Sequence, residues 1–408
     1  MQIAEKPALF IAGATSVPGL SAIKEAFEAE GFSVSFVDAP FMKPFLSSDE
    51  TEPVLFSASI KSPGNDIIIP LSEYWISYCI ADCNAENVRI SRNALLSSRS
   101  KEFFYSLLAS HKTDVPENFG TKEDALKALK SGRKIIIKPK GLHSGYGVEI
   151  IEKADPALLD KHFLCAGSIT NKAMRIMKIE NNGAMISEFI EGTEYSADCF
   201  CFNGKKSLVR LCKKKIVYIK DKPCTAACQL VKPTAEIVSA VQNWLDALFD
   251  ASDISFAQFD FIIDKTERIV PIDFACRIGG GMFELLKELP FNVYAKAVKE
   301  AAASKDETLK TAFYSRLFAD KAFEDAPLTQ LNYLSTKSGY IINDNYPLYD
   351  GKQIINKHKG DYAISNPSSV QSRLAVVVAH LSSSTLSKTF VKSLLLSEPF
   401  IGEKDKAL

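Results

Sequence analysis

The sequence predicts a protein of mixed α/β and α+β class, and three features support this prediction. The chain begins with a short apolar strand, a glycine-containing turn, an amphipathic helix and a second strand, which is the pattern of a βαβ unit. Its middle part alternates helical and strand-like segments up to about residue 310. Beyond that point, short strand-like pieces are separated by asparagine, glycine, serine and proline, which favours a smaller α+β unit.

The length of 408 residues fits two or three domains, at about 100–200 residues for each. The shifts in pattern give the boundaries. We therefore predict an α/β domain at residues 1–95, a central domain at residues 96–310 and a C-terminal α+β domain at residues 311–408.

Composition excludes several classes of protein. Basic and acidic side chains both number 49, so the net charge is zero and gives no reason to expect nucleic acid or an anionic membrane as partner. With 46% apolar residues the chain is not disordered, and no apolar run reaches the ~18 residues of a membrane helix. The nine cysteines lack regular spacing, as in a reduced protein. We expect a cytoplasmic protein without a signal peptide.

The first two domains contain the segments that we predict most directly. Apolar runs predict strands at residues 8–12, 32–37, 66–70 and 134–139, and the first three should pair in parallel. Helical periodicity predicts helices at residues 20–30, 74–85, 94–110 and 121–129. The third of these helices carries Lys101, and Thr121 should be the N-cap of the fourth.

A glycine-rich segment at residues 138–148, KPKGLHSGYGV, follows a predicted strand that delivers Lys138. Its glycines make a loop that can bring backbone N–H groups against a phosphate chain, while the lysine supplies a point charge. It is not a Walker A loop, because no Gly-Lys-Ser/Thr follows. A glycine-rich hairpin without a ligand is the alternative.

A second segment at residues 186–198, ISEFIEGTEYSAD, combines a strand, a glycine turn and an acid before the next strand. Such a segment can offer backbone groups to an adenine edge and a carboxylate to ribose hydroxyls. The alternative is a hairpin with acidic, solvent-facing residues.

Two acids, Asp260 and Asp273, occupy neighbouring strand-like segments joined by a turn-like sequence at residues 264–268. A hairpin would bring these carboxylates together, which is costly unless a cation is shared between them. Mg²⁺ with nucleotide phosphates is the usual occupant of such a site. Arg277 follows and could neutralise a transferring phosphoryl group. A surface hairpin with an acid on each arm is the alternative.

A basic run at residues 205–222 precedes this hairpin. One of Lys213, Lys214 and Lys215 could contact phosphate, and a solvated face is the alternative.

Together, in this order and spacing, the three motifs resemble the ATP-grasp superfamily, and most of all its carboxylate–amine ligases, which include the amino-acid (dipeptide) ligases. The resemblance covers residues 94–310 by motif, and the preceding βαβ segment resembles the pre-ATP-grasp domain of that superfamily. It implies an ATP-grasp fold, with residues 96–310 as the nucleotide-binding and catalytic domain.

The resemblance also implies roles for individual residues. It implies nucleotide binding by Lys101, Lys138, Gly141, His143, Ser144, Gly145, Gly147, Glu188, Phe189, Ile190 and Glu194. It further implies Mg²⁺ binding by Asp260 and Asp273, and catalysis by Arg277 with Lys138.

Two positions depart from the superfamily pattern. Ser100 stands where an aspartate usually precedes the adenylate-side lysine. The usual Glu-x-Asn-x-Arg becomes Asp273-Phe-Ala-Cys-Arg277, so Ala275 replaces a metal-ligating asparagine. Because alanine offers no side-chain oxygen, one of two expected Mg²⁺ sites should be weakened, or completed by water or another side chain.

The implied activity is ATP-dependent condensation of a small-molecule carboxylate with an amine through an acyl phosphate, with release of ADP and phosphate. ATP and Mg²⁺ are the expected cofactors, the substrates are expected to be amino acids or small metabolites of peptide-like biosynthesis, and a homodimer is a family-level expectation. Two alternatives stay open. One is a nucleotide-binding protein that has lost catalysis, and the other is an ATP-grasp enzyme that uses bicarbonate or a nucleotide precursor.

Overall fold

A computed structural model describes residues 6–60, 66–81, 88–142, 145, 147–169, 175, 181, 183–219, 222–303, 321–363, 373–397 and 400–403. Its N-terminal part is a four-stranded sheet in the order β3-β2-β1-β4 with every pair parallel. The sequence predicts the parallel pairing of three of these strands but not the strand at Val54–Phe56. The elements are β1 (Ala8–Ala12), α1 (Leu20–Ala29), β2 (Ser33–Asp38), β3 (Val54–Phe56), β4 (Ile67–Pro70) and α2 (Glu73–Ala81).

Helix α1 joins this sheet to the rest of the molecule. Its apolar face includes Leu20, Ile23 and Phe27, which are all buried. The Phe27 ring meets the rings of Phe200 and Phe202 edge-on, at centroid distances of 6.1 and 6.0 Å. Aromatic pairs of this geometry add to the stability that burial alone provides. The N-terminal sheet therefore shares one continuous apolar core with the central part of the chain.

The single helix predicted at residues 94–110 is wrong, because two helices lie there. They are α3 (Arg92–Arg99) and α4 (Lys101–Ser110). Ser100 between them is extended, with φ −142° and ψ 108°, and its side chain accepts a hydrogen bond from the Phe103 N–H as the N-cap of α4. The break makes Lys101 the first residue of a helix, and its N–H bonds to the Lys140 carbonyl at 3.0 Å.

A small three-stranded sheet, in the order β6-β5-β7, follows. Its helices cover one face, and Thr121 is the N-cap of the first of them, as predicted. A separate small core lies between these helices and the sheet. The elements are α5 (Lys122–Lys130), β5 (Ile135–Pro139), β6 (Glu149–Ile151), α6 (Pro156–Ser168) and β7 (Ala184–Glu188).

The largest sheet has the order β12-β11-β8-β9-β10-β13-β17-β15, and a ninth strand pairs with β13. The first five of these neighbours come from the middle of the chain. They are β8 (Gly192–Phe202), β9 (Lys205–Ile219), β10 (Lys222–Leu230), β11 (Ser255–Asp264) and β12 (Ile269–Ala275). The helices that accompany them are α7 (Ala235–Leu248), α8 (Phe283–Lys287) and α9 (Val293–Ala303).

The C-terminal part extends the same sheet, since β13 pairs with β10 across the boundary predicted near residue 310. The domain limits stay a prediction. A second small sheet, in the order β16-β14-β19, and a third core complete this part. Its elements are α10 (Lys321–Asp325), β13 (Leu328–Ser335), β14 (Gly339–Ile341), β15 (Lys352–Ile355), β16 (Tyr362–Ala363), β17 (Arg373–His380), α11 (Lys388–Ser393), β18 (Leu395–Leu396) and β19 (Ile401–Gly402).

Among the helices in the described ranges, none is both long enough and apolar enough to cross a bilayer.

The start of β8 requires a residue without a side chain. A Cβ atom added to Gly192 would lie 2.2 Å from the Ile263 carbonyl oxygen on β11. We therefore expect Gly192→Ala to lower the free energy of unfolding by about 1–3 kcal/mol, measured as a fall in the denaturation midpoint. Gly120→Ala is the control, because nothing lies within 4 Å of a Cβ there. Equal midpoints for the two variants would contradict the prediction.

Candidate active site

A cavity of about 1280 Å³ lies between the small sheet, the large sheet and the glycine run at residues 279–281. It is lined by the following residues from the predicted site: Lys101, Lys138, Gly145, Glu188, Phe189, Ile190, Glu194, Asp260, Asp273 and Arg277. The structure thus brings together residues that are far apart in the sequence.

Strand alternation explains why these polar side chains share one face of the large sheet. Asp260 lies opposite Ser196 on β8 and opposite Asp273 on β12, whereas its neighbours Phe259 and Phe261 are fully buried against Trp244 on the other face. Successive side chains of a strand point to opposite faces. One face is therefore core, and the other forms a wall of the cavity.

The predicted glycine loop contributes to the cavity only in part. Gly145 and Gly147 both have positive φ, at 66° and 68°, which glycine adopts without strain. Gly141 and Gly147 belong to the loop but are not among the residues that line the cavity. His143 and Ser144 lie outside the described residues.

The two predicted metal ligands face each other, because β11 and β12 form the expected hairpin. Asp260 is the register partner of Asp273. Each carboxylate is paired with a lysine from another element. Lys101 Nζ lies 2.9 Å from Asp273 Oδ1, and Lys214 Nζ lies 2.8 Å from Asp260 Oδ1. The repulsion that the sequence implied is therefore balanced by two ammonium groups.

Lys214 is the more enclosed of the two lysines, with a side chain only 12% exposed, so a solvated face does not describe its environment. Its Nζ also donates to Glu194 Oε1 at 2.7 Å. Burial on its own would lower the pKa of Lys214, but the negative charges of Asp260 and Glu194 raise it above its usual value. Lys214 is therefore charged and links the predicted ribose acid to a predicted metal ligand.

Lys138, at the end of β5, is buried and donates to the Tyr105 hydroxyl at 3.1 Å. The hydroxyl in turn donates to the Ile272 carbonyl at 2.8 Å. Burial lowers the pKa of Lys138 from 10.5 to about 8. This ammonium has no carboxylate partner within ion-pair distance in the described part of the chain, so it is available to an anionic ligand.

The donor set fits one divalent cation shared with a ligand. Described contacts engage Oδ1 of both Asp260 and Asp273 and leave Oδ2 of each without a partner. No cluster of three or more potential metal-binding side chains occurs among the described residues. Mg²⁺ is commonly held by one or two carboxylates together with phosphate oxygens. Ala275, which is buried beside the acids, adds no ligand atom.

Arg277 is fixed by an acid from the N-terminal part of the chain. Its Nε lies 2.8 Å from Glu73 Oε1, and Glu73 Oε2 lies 3.3 Å from Arg99 Nη1. Burial opposes the charge of Arg277, yet Glu73 raises its pKa, with smaller contributions from Asp273 and Asp260. The guanidinium therefore stays charged and lies within reach of the field of the acid pair.

The glycine run is held by a fully buried ion pair. Arg210 Nε lies 2.8 Å from Asp198 Oδ2, which also accepts from the Tyr294 hydroxyl at 2.8 Å. The remaining oxygen, Oδ1, accepts the Gly279 N–H at 2.7 Å. A Cβ on Gly279 would lie 2.5 Å from Arg210 Nη2. Residue 279 must therefore be glycine for the run to approach the pair so closely.

The predicted adenine end lies where β7 leads into β8. Glu188 accepts from Arg268 Nη2 at 3.1 Å and from the Glu117 N–H at 3.2 Å. The Phe189 N–H donates to the Lys134 carbonyl at 3.2 Å. The Glu188 carboxylate and the Phe189 N–H therefore already have hydrogen-bond partners within the protein, and these partners hold the segment in place.

Sequence reasoning missed Glu73, Tyr105 and the Asp198–Arg210 pair. Asp198 could have been suspected from strand alternation, because it shares its face of β8 with Glu194. Tyr105 could have been suspected because it lies one helical turn after Lys101, whereas no motif surrounds Glu73 in its helix.

Residues 132–284 match the ATP-grasp domain family. A curated relative, the glutathione biosynthesis bifunctional protein GshAB of Streptococcus thermophilus, is 30% identical over 120 residues. That match covers 28% of this chain and only 14% of the relative's length.

Solved structures match over almost the whole chain. The L-amino acid ligase from Bacillus licheniformis has a TM-score of 0.61 at 15% identity, and the match covers 95% of this chain and 96% of that chain. Phosphoribosylglycinamide synthetase from Anaerococcus prevotii has a TM-score of 0.54 at 15% identity, with 95% and 97% covered. The biotin carboxylase domain of 2-oxoglutarate carboxylase from Hydrogenobacter thermophilus has a TM-score of 0.56 at 11% identity, with 93% and 87% covered. These matches and the domain match confirm the ATP-grasp fold.

Removing the buried acid should be far more damaging than removing a surface acid. Asp198→Ala leaves Arg210 buried without its counter-charge, and we expect a loss of about 3–5 kcal/mol in the free energy of unfolding. Asp246→Ala removes a carboxylate that is 57% exposed and pairs with Lys206, and it should lose less than about 1 kcal/mol. Urea denaturation of both variants measures the difference. Losses of similar size would show that the buried pair does not hold this region together.

Proposed function

We propose, from the premise that this chain carries an ATP-grasp domain within an ATP-grasp fold, that it is an ADP-forming ligase joining a carboxylate to an amine. One observation carries the proposal. The cavity collects, on one surface, a buried lysine that pairs with no carboxylate of the described residues, two facing carboxylates and an arginine next to a glycine run. These groups suit a polyphosphate, a divalent cation and a transferring phosphoryl group, respectively.

The named relatives support the same reaction class. The structural neighbours include enzymes titled L-amino acid ligase and phosphoribosylglycinamide synthetase. Another neighbour, the biotin carboxylase domain, is described in complex with the magnesium salt of ADP and with bicarbonate. For this chain we favour amino acids or small metabolites as substrates, in peptide-like biosynthesis. Cytoplasmic location and a homodimer stay predictions.

Nucleotide binding follows from the charges in the cavity. Lys138 and Lys101 would contact phosphates, and the Gly145 region would cover them. Glu194 would accept from ribose hydroxyls once Lys214 shifts toward the phosphates. Ile190 and its neighbours would lie along the adenine. Asp260 and Asp273 would hold Mg²⁺, which would supply positive charge to neutralise the phosphates.

The reaction has two balanced steps. A carboxylate oxygen of the first substrate forms a bond to the γ-phosphorus while the bond to the β-bridging oxygen breaks, which gives an acyl phosphate and ADP. The amine nitrogen then bonds to the acyl carbon through a tetrahedral intermediate, the acyl C–O bond breaks, and phosphate leaves with the electron pair. The amine loses its proton to solvent or to phosphate.

This chain contributes positioning and electrostatic stabilisation to both steps. Arg277, fixed by Glu73, would donate to the phosphoryl oxygens as their charge changes. Backbone N–H groups of Gly280 and Gly281 would lie beside the tetrahedral oxygen. The loop around Gly145 would exclude water that hydrolyses the acyl phosphate.

Ala275 favours a second candidate function, a nucleotide-binding protein without ligase activity. Without an asparagine there, the site offers two carboxylates, and the described residues provide no cluster with a third His, Cys, Asp or Glu ligand. Lys214, whose ammonium lies against Asp260, would then take over part of the charge balance that a second cation supplies.

The decisive experiment measures ADP and phosphate release from Mg-ATP with a panel of amino acids and small carboxylates, alone and in pairs. We expect negligible release with ATP alone and clear release with a carboxylate plus an amine. Lys138→Ala and Asp273→Asn should each lower kcat/KM at least about 100-fold, because each removes a charge that faces the reacting phosphates.

Lys127→Ala serves as the matched control for Lys138→Ala, since the Lys127 side chain is 77% exposed. Its activity should equal that of the parent. Mg-ATP binding without release from any pair, including after Ala275→Asn, would favour the non-catalytic candidate over the ligase.

Nucleotide affinity should depend on pH through Lys138. Its pKa of about 8 in the free protein means that the ammonium is charged at pH 7 and loses its proton as the pH rises through 8. We therefore expect the Kd for ADP, measured by fluorescence titration, to increase from pH 7.5 to pH 9.5. Lys138→Arg, which stays protonated in this range, should abolish the increase. An unchanged slope in that variant would assign the dependence to another group.

A further inference from the structure

Arg373 begins β17 and presents its guanidinium to the cavity from the C-terminal part of the chain. Nη1 donates to the Gly281 carbonyl at 3.2 Å. The guanidinium also packs against the Gly281 backbone, where an added Cβ would lie 2.5 Å from Nη2. Gln330 donates to the same carbonyl at 2.7 Å. Within the described part of the chain, the groups that hold Arg373 in place are therefore uncharged.

Arg373 differs in this respect from the other enclosed arginines around the cavity. Arg210 pairs with Asp198 and Arg277 pairs with Glu73, both at 2.8 Å. No described carboxylate lies within 4.0 Å of Arg373, and the preceding residues 364–372, ISNPSSVQS, contain no acid. Burial lowers the pKa of Arg373, the Cys228 thiol opposes this shift, and no described carboxylate contributes to it. A half-buried guanidinium with no described carboxylate beside it is unfavourable, so a ligand anion is the expected partner.

The location of Arg373 separates this anion from the reacting carboxylate. Arg277 precedes the glycine run, and the charges of Asp260 and Asp273 contribute to its raised pKa. Arg373 contacts the last glycine of the run, and neither of those acids contributes to its pKa. Asn332 and Met282, which also line the cavity, are uncharged. A group bound by Arg373 would therefore lie beside the last glycine of the run, whereas Arg277 lies before its first glycine.

We propose that Arg373 binds a carboxylate of the amine substrate, so that the second substrate is an amine that also carries an acid group. This inference rests on the proposed ligase function. The planar fork of a guanidinium matches a carboxylate in a bidentate arrangement. Binding there would leave the amine nitrogen to reach the acyl carbon beside Gly280, and would leave the carboxylate of the product intact.

A binding experiment tests the proposal without requiring turnover. The thermal midpoint is measured in Mg-ADP with each of the common amino acids and with the corresponding amino-acid amide, which lacks the carboxylate charge. We expect at least one amino acid to raise the midpoint while its amide does not. Arg373→Ala should abolish this shift, and Arg373→Lys should restore part of it. Arg92→Ala, which removes an exposed arginine, should retain it.

Kinetics provide the second readout. For any pair that releases ADP, Arg373→Ala should raise KM for the amine at least about 30-fold, which corresponds to the loss of a buried charge pair, with KM for ATP unchanged. If Arg373→Ala does not fold, Arg373→Gln, whose amide can still donate to the Gly281 carbonyl, replaces it.

The outcomes distinguish this inference from the ligase proposal. A carboxylate-dependent shift that requires Arg373, without ADP release from any pair, would support the role of Arg373 and overturn the ligase reaction. ADP release with an unchanged KM for the amine in Arg373→Ala would support the ligase reaction and overturn the role of Arg373. Equal shifts for amino acids and their amides, or no shift with any amino acid, would also overturn the inference.

Discussion

The repulsion between two carboxylates that face each other on adjacent strands governs the construction of this site. Asp260 and Asp273 are paired across β11 and β12, and like charges so placed repel each other unless cations lie beside them. The protein answers with lysines from two other elements, Lys101 at the first turn of α4 and Lys214 on β9. Each lysine thereby links another element to the hairpin. The contacts that balance the two carboxylates therefore also hold these elements together.

This arrangement also explains how a ligand can enter. A polyphosphate with Mg²⁺ brings both signs of charge, so it can take over the lysines and the acids at once. Lys138 is different, because it is buried against Tyr105 and forms no ion pair with any described carboxylate. Burial lowers its pKa, although the charges of Asp273 and Glu194 act in the opposite direction. The ligand-free cavity therefore already favours the binding of an anion.

Much of the site could be predicted because its residues lie in short motifs with regular strand spacing. The hairpin that joins Asp260 to Asp273 follows from two apolar strands and a turn sequence, and the register has the expected pairing. The break at Ser100 could not be predicted, because the apolar periodicity continues through it and only its side-chain cap reveals two helices.

Long-range charge pairs set the limit of sequence reasoning. Lys214 was one of three adjacent lysines, and only the fold decides which of them turns toward Glu194 and Asp260. Glu73 and Arg277 are separated by 204 positions, so no local pattern joins them. Arg373 has no motif at all, and its importance lies in the absence of a described acid around it.

The contact between Glu73 and two arginines has a consequence for recombination between relatives of this protein. The N-terminal sheet looks like an exchangeable module, yet its helix α2 carries the counter-charge of Arg277 and of Arg99. In a chimera with a foreign N-terminal module that has no acid at position 73, the guanidinium groups of Arg277 and Arg99 would both lack this counter-charge. Whether a foreign N-terminal module is compatible with the rest of the chain would therefore depend first on this one carboxylate, and only then on how well the contacting surfaces match.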